Sequence, residues 1–284
     1  MTKITLLFLL LTSYIFSNIN AIVSILPEQT FVKAIGGDKV NISLMVLPGN
    51  SPHTYEPKPS QMIDITKADL YFAIDVEFEH VWLPKFKNLN EKMQVVDVAN
   101  GITKMHMAKA HGSHHDGHNH EEESLDPHIW TAPENVKIIV QNIYSALAKQ
   151  DPSNANYYKS NLDMFLTTID KTDTQIKQIL STLKVSRTFM VFHPSWGYFA
   201  QAYGLEQIAV EVEGKSPKPR ELVNLIKEAK AEKVQAIFTQ PEFSDSSAKI
   251  IAKELHIPVV KVSPLAKAWS QNLLNIAKHI AGAN

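Results

Sequence analysis

The stretch that decides the fold is DPSNANYYKSNLDMFLTTIDKTDTQIKQILSTL, Asp151 to Leu183, which holds no glycine and carries proline only at its start. A helix of about 30 residues reaches about 45 Å at 1.5 Å per residue, long enough to cross from one lobe of a protein to another. We read residues 151–185 as a linking backbone helix. A helical hairpin broken near Asp170 to Asp173 is the alternative reading.

On both sides of this helix, short Val- and Ile-rich runs alternate with helix-like segments, the pattern of βα units that build a parallel sheet. Before it lie AIVSIL (21–26), NISLMVL (41–47), LYFAID (70–75) and MQVVDV (93–98). Pro59-Ser60 opens one helix, Val76 to Leu89 forms another, and Pro133 opens a third that runs to about Lys149. After it come RTFMVFH (187–193), QIAVEVE (207–213), VQAIFTQ (234–240) and PVVKVS (258–263), then a helix near 270–281. The expected fold class is therefore α/β: two lobes, each a mainly parallel sheet flanked by helices, at 22–150 and 186–284. Ligands of open α/β sheets sit beyond the carboxyl ends of the strands, so the cleft between facing lobes is the expected site.

Residues 1–21 have the layout of a secretory signal: Lys3, an apolar run from Ile4 to Phe16, then a polar stretch ending at Ala21, after which cleavage is expected. That run is short against the roughly 20 residues that span a bilayer, and no other stretch is long and apolar enough. Cysteine is absent, which excludes disulfides, thiolate metal ligands and the acceptor of a lipid anchor. A periplasmic, non-lipidated, monomeric protein is expected. The net charge of −1 over 284 residues gives no electrostatic case for a nucleic-acid partner.

Twelve histidines stand out. His53 lies in the Pro-rich PGNSPHTYEPKPSQ after a strand, His128 in LDPHIW before a helix, and His193 directly after the strand TFMVF. All three sit where strand or loop meets helix, where the lobes should face each other. Neutral imidazole suits Zn²⁺ at about 2.0–2.1 Å, and three such ligands leave a fourth position open. Cu²⁺ and Ni²⁺ suit the same donors.

Residues 106–123, HMAKAHGSHHDGHNHEEE, lack apolar periodicity and read as a surface loop. Its His106, His111, His114, His115, His118 and His120, beside Asp116 and Glu121 to Glu123, read either as a weaker tract for metal collection or sensing or as a solvated, dispensable loop. His80, His256 and His279 read as surface residues, and Trp196, Tyr198 and Phe199 as core or cleft wall.

LPGNSPHTYEPKPSQ, the His-rich loop, DPHIW, FHPSWGYFA and EGKSPKPREL together resemble the periplasmic zinc-binding proteins of ABC importers, the ZnuA-like family, within a wider cluster that includes manganese binders. The resemblance covers the chain beyond the leader. It implies ligand roles for His53, His128 and His193, and delivery of zinc to an inner-membrane permease driven by a cytoplasmic ATPase. Manganese binders of the cluster usually carry a carboxylate at the third position, so His193 favours zinc. Many relatives supply a fourth, acidic ligand where this chain reads AIFTQPEFSDSS, with Gln240 or Ser244 at the usual positions. Water, Glu242 and Asp245 are the candidates for that role.

Two other functions remain open at this level. Three histidines and a water also make a catalytic zinc site. Yet the chain holds no HExxH, Gly-rich phosphate loop or GxSxG, and Glu56 is the nearest acid in the motifs. A metal-binding adhesin or buffer would carry the same ligands.

Overall fold

The computed structural model describes residues 18–107, 125–183, 186–211 and 215–282. The first lobe runs β1 (Ile19–Val23), α1 (Leu26–Gly36), β2 (Val40–Leu44), α2 (Pro59–Lys67), β3 (Leu70–Ala73), α3 (Glu77–Leu89), β4 (Gln94–Asp97) and α4 (Pro133–Gln150). α5 (Ala155–Leu180) follows. The second lobe runs β5 (Thr188–Val191), α6 (Gly197–Tyr203), β6 (Glu206–Ala209), α7 (Pro219–Ala231), β7 (Ile237–Thr239), α8 (Ser246–Leu255), β8 (Val259–Lys261) and α9 (Trp269–Ile280).

All pairings within the two sheets are parallel, in the orders β2-β1-β3-β4 and β6-β5-β7-β8. The second order repeats the first. Val23 at the end of β1 pairs with Leu44 and Phe72, and Val191 at the end of β5 pairs with Ala209 and Phe238. The likeness extends to sequence, because α2 and α7 both begin on the second proline of a Pro-Lys-Pro, at 57–59 and 217–219. In each, proline occupies the first turn, where its missing N–H costs nothing. The third helical residue then reaches back to the cap, Gln61 to Lys58 N at 2.8 Å and Glu221 to Lys218 N at 2.6 Å.

Helix α5 is unbroken over 26 residues, about 39 Å at 1.5 Å per residue. Tyr158, Leu162, Ile169, Thr172, Ile176 and Leu180 form its buried stripe, which packs on α1, α4 and α9. Asp170 and Asp173, where a hairpin would have turned, stay within the helix, Asp170 pairing with Lys137 of α4 at 2.7 Å and Asp173 with Lys177 at 2.6 Å and the Tyr203 hydroxyl at 2.9 Å. Two tryptophans tie the lobes beside this helix. Trp130 Nε1 donates to the Pro264 carbonyl at 2.8 Å, and Trp269 Nε1 donates to the Trp130 carbonyl at 2.7 Å.

The strands are shorter than the apolar runs that announce them, although backbone bonds continue past several of them, as from Met45 N to the Val23 carbonyl and from Phe192 N to the Phe238 carbonyl. β1 is the exception at its other end: it starts at Ile19, inside the expected leader, and Ile19, Asn20 and Ala21 pair with Val40, Asn41 and Ile42. Among the described residues, no helix is long and apolar enough to cross a membrane. The histidines at 111, 114, 115, 118 and 120 and most of the loop that carries them lie outside the described residues. His106, at its start, bridges antiparallel to Leu125.

Candidate metal centre

His53 comes from the loop between β2 and α2, which opens with prolines and a glycine at φ +82°. His128 precedes the short helical turn before α4, and His193 follows β5. Parallel sheets that face each other across a cleft bring all three loops to one place. One nitrogen from each ring lies within 4.8 Å of the others, the one such group of three or more His, Cys, Asp or Glu among the described residues. His53 Nε2 and His193 Nε2 are 3.1 Å apart, close to the roughly 3.3 Å between two nitrogens that share a tetrahedral zinc at about 2.05 Å.

Every one of the three imidazoles has a carboxylate on Nδ1. Glu77 Oε1 lies 2.9 Å from His53, Asp126 Oδ1 2.7 Å from His128, and Glu211 Oε1 2.8 Å from His193. A carboxylate there fixes the tautomer with the proton on Nδ1, orients the ring and leaves the Nε2 lone pair for a cation. Glu77 is the first residue of α3, Glu211 follows β6, and Asp126 also accepts the His128 backbone N–H at 2.9 Å.

Burial divides the three imidazoles within the first lobe, which supplies both His53 and His128. The His128 and His193 side chains are 7% exposed and that of His53 is 28% exposed. Burial lowers the pKa of His193, helped by the neighbouring His128 and His53 and opposed by Glu211. Burial pulls on His53 too, but the hydrogen bond and charge of Glu77, with the charge of Glu211, outweigh it and leave its pKa raised. For Glu77 burial disfavours the charge, yet its contacts with His53 bring its pKa down to about 2.

The segment after β7 provides framing. Gln240 holds the His193 backbone from both sides, its Nε2 donating to the carbonyl at 2.9 Å and its Oε1 accepting the N–H at 3.3 Å. The Phe243 ring stacks on His193, centroids 4.9 Å apart and planes 22° from parallel. Neither acid proposed for the fourth position joins the cluster. Glu242 accepts from Ser263 Oγ at 3.2 Å, and Asp245, at the start of α8, pairs with Lys249 at 2.8 Å. Glu56 is exposed.

The remaining sequence candidates take structural places. His80 is bound to Asp75 at 2.8 Å, His256 ends α8 in a left-handed conformation, and His279 lies on α9 with its ring 6.4 Å from Phe238. Tyr198 spans the lobes, donating to the Asp126 carbonyl at 2.9 Å and accepting from Met105 N at 3.1 Å. Glu77, Asp126, Glu211 and Phe243 were not singled out from the sequence. Only Asp126 carries a local signal, its place two residues before His128 within one turn.

Two linked parallel-sheet lobes that converge three carboxylate-backed imidazoles on one point define the metal-capture class of solute-binding proteins. Residues 22–282 match the family model described as ZnuA, zinc-uptake complex component A periplasmic, and the chain belongs to that family. It is 26% identical over 264 residues to the zinc-binding protein AdcA of Streptococcus pyogenes serotype M3, covering 87% of this chain and 50% of that relative. The chain thus spans about half the length of AdcA. A metal ABC transporter substrate-binding lipoprotein of Lactococcus lactis subsp. lactis is 30% identical over 252 residues, covering 85% of this chain and 77% of the relative. The crystal structure of ZnuA superposes with a TM-score of 0.86 at 41% identity, covering 94% of this chain and 99% of that one.

Proposed function

We propose that the chain is the zinc-binding component of an ABC importer. It takes Zn²⁺ in the periplasm on the Nε2 atoms of His53, His128 and His193 and passes it to a membrane permease driven by an ATPase. The observation that carries this reading is the carboxylate on each Nδ1, which leaves three convergent nitrogen donors. An all-nitrogen set suits zinc better than the oxygen-loving Mn²⁺. The same carboxylates favour carriage over hydrolysis: each is committed to an imidazole, so none stands as a general base for a metal-bound water. In this reading the fourth position belongs to water or another small ligand, because Glu242 and Asp245 are engaged elsewhere.

Zinc titration against a chromophoric chelator tests the reading, on the wild type and on His53→Ala, His128→Ala and His193→Ala. One tight zinc per chain, weakened by each substitution, is expected. Wild-type affinity in the three variants would overturn it.

A further inference from the structure

Beneath the His53 loop, at the carboxyl end of the first sheet, four polar side chains are sealed from solvent. Ser24 and Glu28 are 0% exposed, Tyr71 0% and Glu79 1%. Burying carboxyl groups is costly unless they are well bonded, so their placement calls for a reason beyond filling space. Glu79 shows one. Its Oε2 accepts the backbone N–H of Asp75 at 2.7 Å, and its Oε1 accepts that of Ile74 at 3.2 Å together with the hydroxyl of Ser24. With that proton spent on Glu79, the Ser24 hydroxyl accepts from Tyr71 at 2.8 Å, so a relay runs from β3 through the end of β1 to α3.

Ile74 and Asp75 form the turn that joins β3 to α3, and Asp75 has φ +66°, in the left-handed region few non-glycine residues enter. Its own side chain is drawn to His80 and Lys104. The turn is therefore held by the carboxyl group of Glu79 on one side and by the His80 and Lys104 side chains on the other. Two residues after it comes Glu77, whose carboxylate meets His53 Nδ1 at 2.9 Å.

We propose that Glu79 is a positioning residue for metal capture: by clamping the Ile74–Asp75 turn it sets the start of α3 so that Glu77 reaches His53. This rests on His53 being a zinc ligand oriented by Glu77. Glutamine at 79 keeps one acceptor but turns an NH₂ towards one of the two backbone donors, so the turn loses a bond while the volume stays constant.

The test is a double-mutant cycle on zinc affinity with Glu79→Gln, Glu77→Gln and the pair, alongside His128→Ala. Residues that act through one another show non-additive effects, which a merely structural contribution to folding does not produce. Glu79→Gln is expected to weaken zinc about 10-fold, in the range of outer-sphere changes. The double variant should bind no more weakly than Glu77→Gln alone. Wild-type affinity in Glu79→Gln, or a double variant weakened by the product of the two factors, overturns the proposal. Wild-type affinity in His128→Ala would instead overturn the metal-site reading itself. Should Glu79→Gln fail to fold, Ser24→Ala, which removes one of the three donors to Glu79, is read in the same way. A loss confined to the background that retains Glu77 supports the clamp, and no loss, or equal loss in both backgrounds, overturns it.

Discussion

His53 Nε2 faces His193 Nε2 at 3.1 Å across the boundary between the two lobes. With each Nδ1 proton given to a carboxylate, both Nε2 atoms present lone pairs to the same point, an arrangement that a cation between them relieves. The lobes are thus set for an ion before it arrives.

The carboxylates behind the imidazoles carry the first prediction. Glu77→Gln, Asp126→Asn and Glu211→Gln should each weaken zinc by about 10- to 100-fold, as outer-sphere partners of metal-bound histidine do. Chelator competition at fixed pH measures it. Unchanged affinity in all three would show that the rings are oriented by packing alone.

Acid should release the metal, and His53 should respond first. Glu77 holds the proton on this imidazole to higher pH than usual, so protons compete with zinc there before they reach His193, whose pKa is lowered. Removing the negative charge with Glu77→Gln lowers the pKa of His53. In the zinc-free protein His53 of Glu77→Gln should then take up its proton at lower pH than in the wild type. Imidazole titration by NMR from pH 5 to 8 on both metal-free proteins decides, and a His53 midpoint that stays fixed or rises contradicts the assignment.

Glu79 predicts a stability change of opposite sense. Burial lifts its pKa from 4.5 to about 7, opposed by Ser24 and the backbone N–H groups. Between these values the native carboxyl keeps a proton that the unfolded chain has lost, so the metal-free protein loses stability as pH rises from 4.5 to 7. The contribution is about 3 kcal/mol at 1.36 kcal/mol per pH unit. Denaturant unfolding of the zinc-free protein at pH 4.5 and 7, with and without Glu79→Gln, isolates it. A slope that survives the substitution belongs to another group.

Gly197 makes a prediction across the lobe boundary. It opens α6, and a Cβ there would sit 2.7 Å from Asp126 Oδ2 and 3.4 Å from Gln207 Nε2. Gly197→Ala should push the Asp126 carboxylate off His128, with a loss of zinc affinity near that of Asp126→Asn and about 1–3 kcal/mol of overpacking cost. Zinc affinity and unfolding free energy, measured together, check both halves. Wild-type zinc binding in Gly197→Ala would mean that Asp126 has room to spare.

Much of this was legible in the residue order. A run without glycine or internal proline became the unbroken α5, and eight Val- and Ile-rich runs became eight strands. The convergence of His53, His128 and His193 is legible because each stands where a strand or loop gives way to a helix. Their partners are not. Glu77 and Glu211 lie 24 and 18 residues from the imidazoles they orient, in segments whose apolar pattern says only helix or strand. Contact between them is set by how loops fold over the sheet ends, which local periodicity does not encode. The same holds for Glu79, which in sequence is one more acid in the first turn of a helix. The acids near 242 and 245 misled for the converse reason: nearness in sequence to a ligand-bearing segment says nothing of direction, and both point to partners of their own.

The reciprocal tryptophan bonds beside α5, Trp130 to Pro264 and Trp269 to Trp130, bear on selectivity. They make the spacing between the lobes a property of the scaffold more than of the guest. An ion content with four short bonds fits the gap as found, whereas one that demands a wider shell of six must spread the frame. A frame of that kind would select by stiffness, so loosening either indole should blur the choice among metals before it abolishes binding.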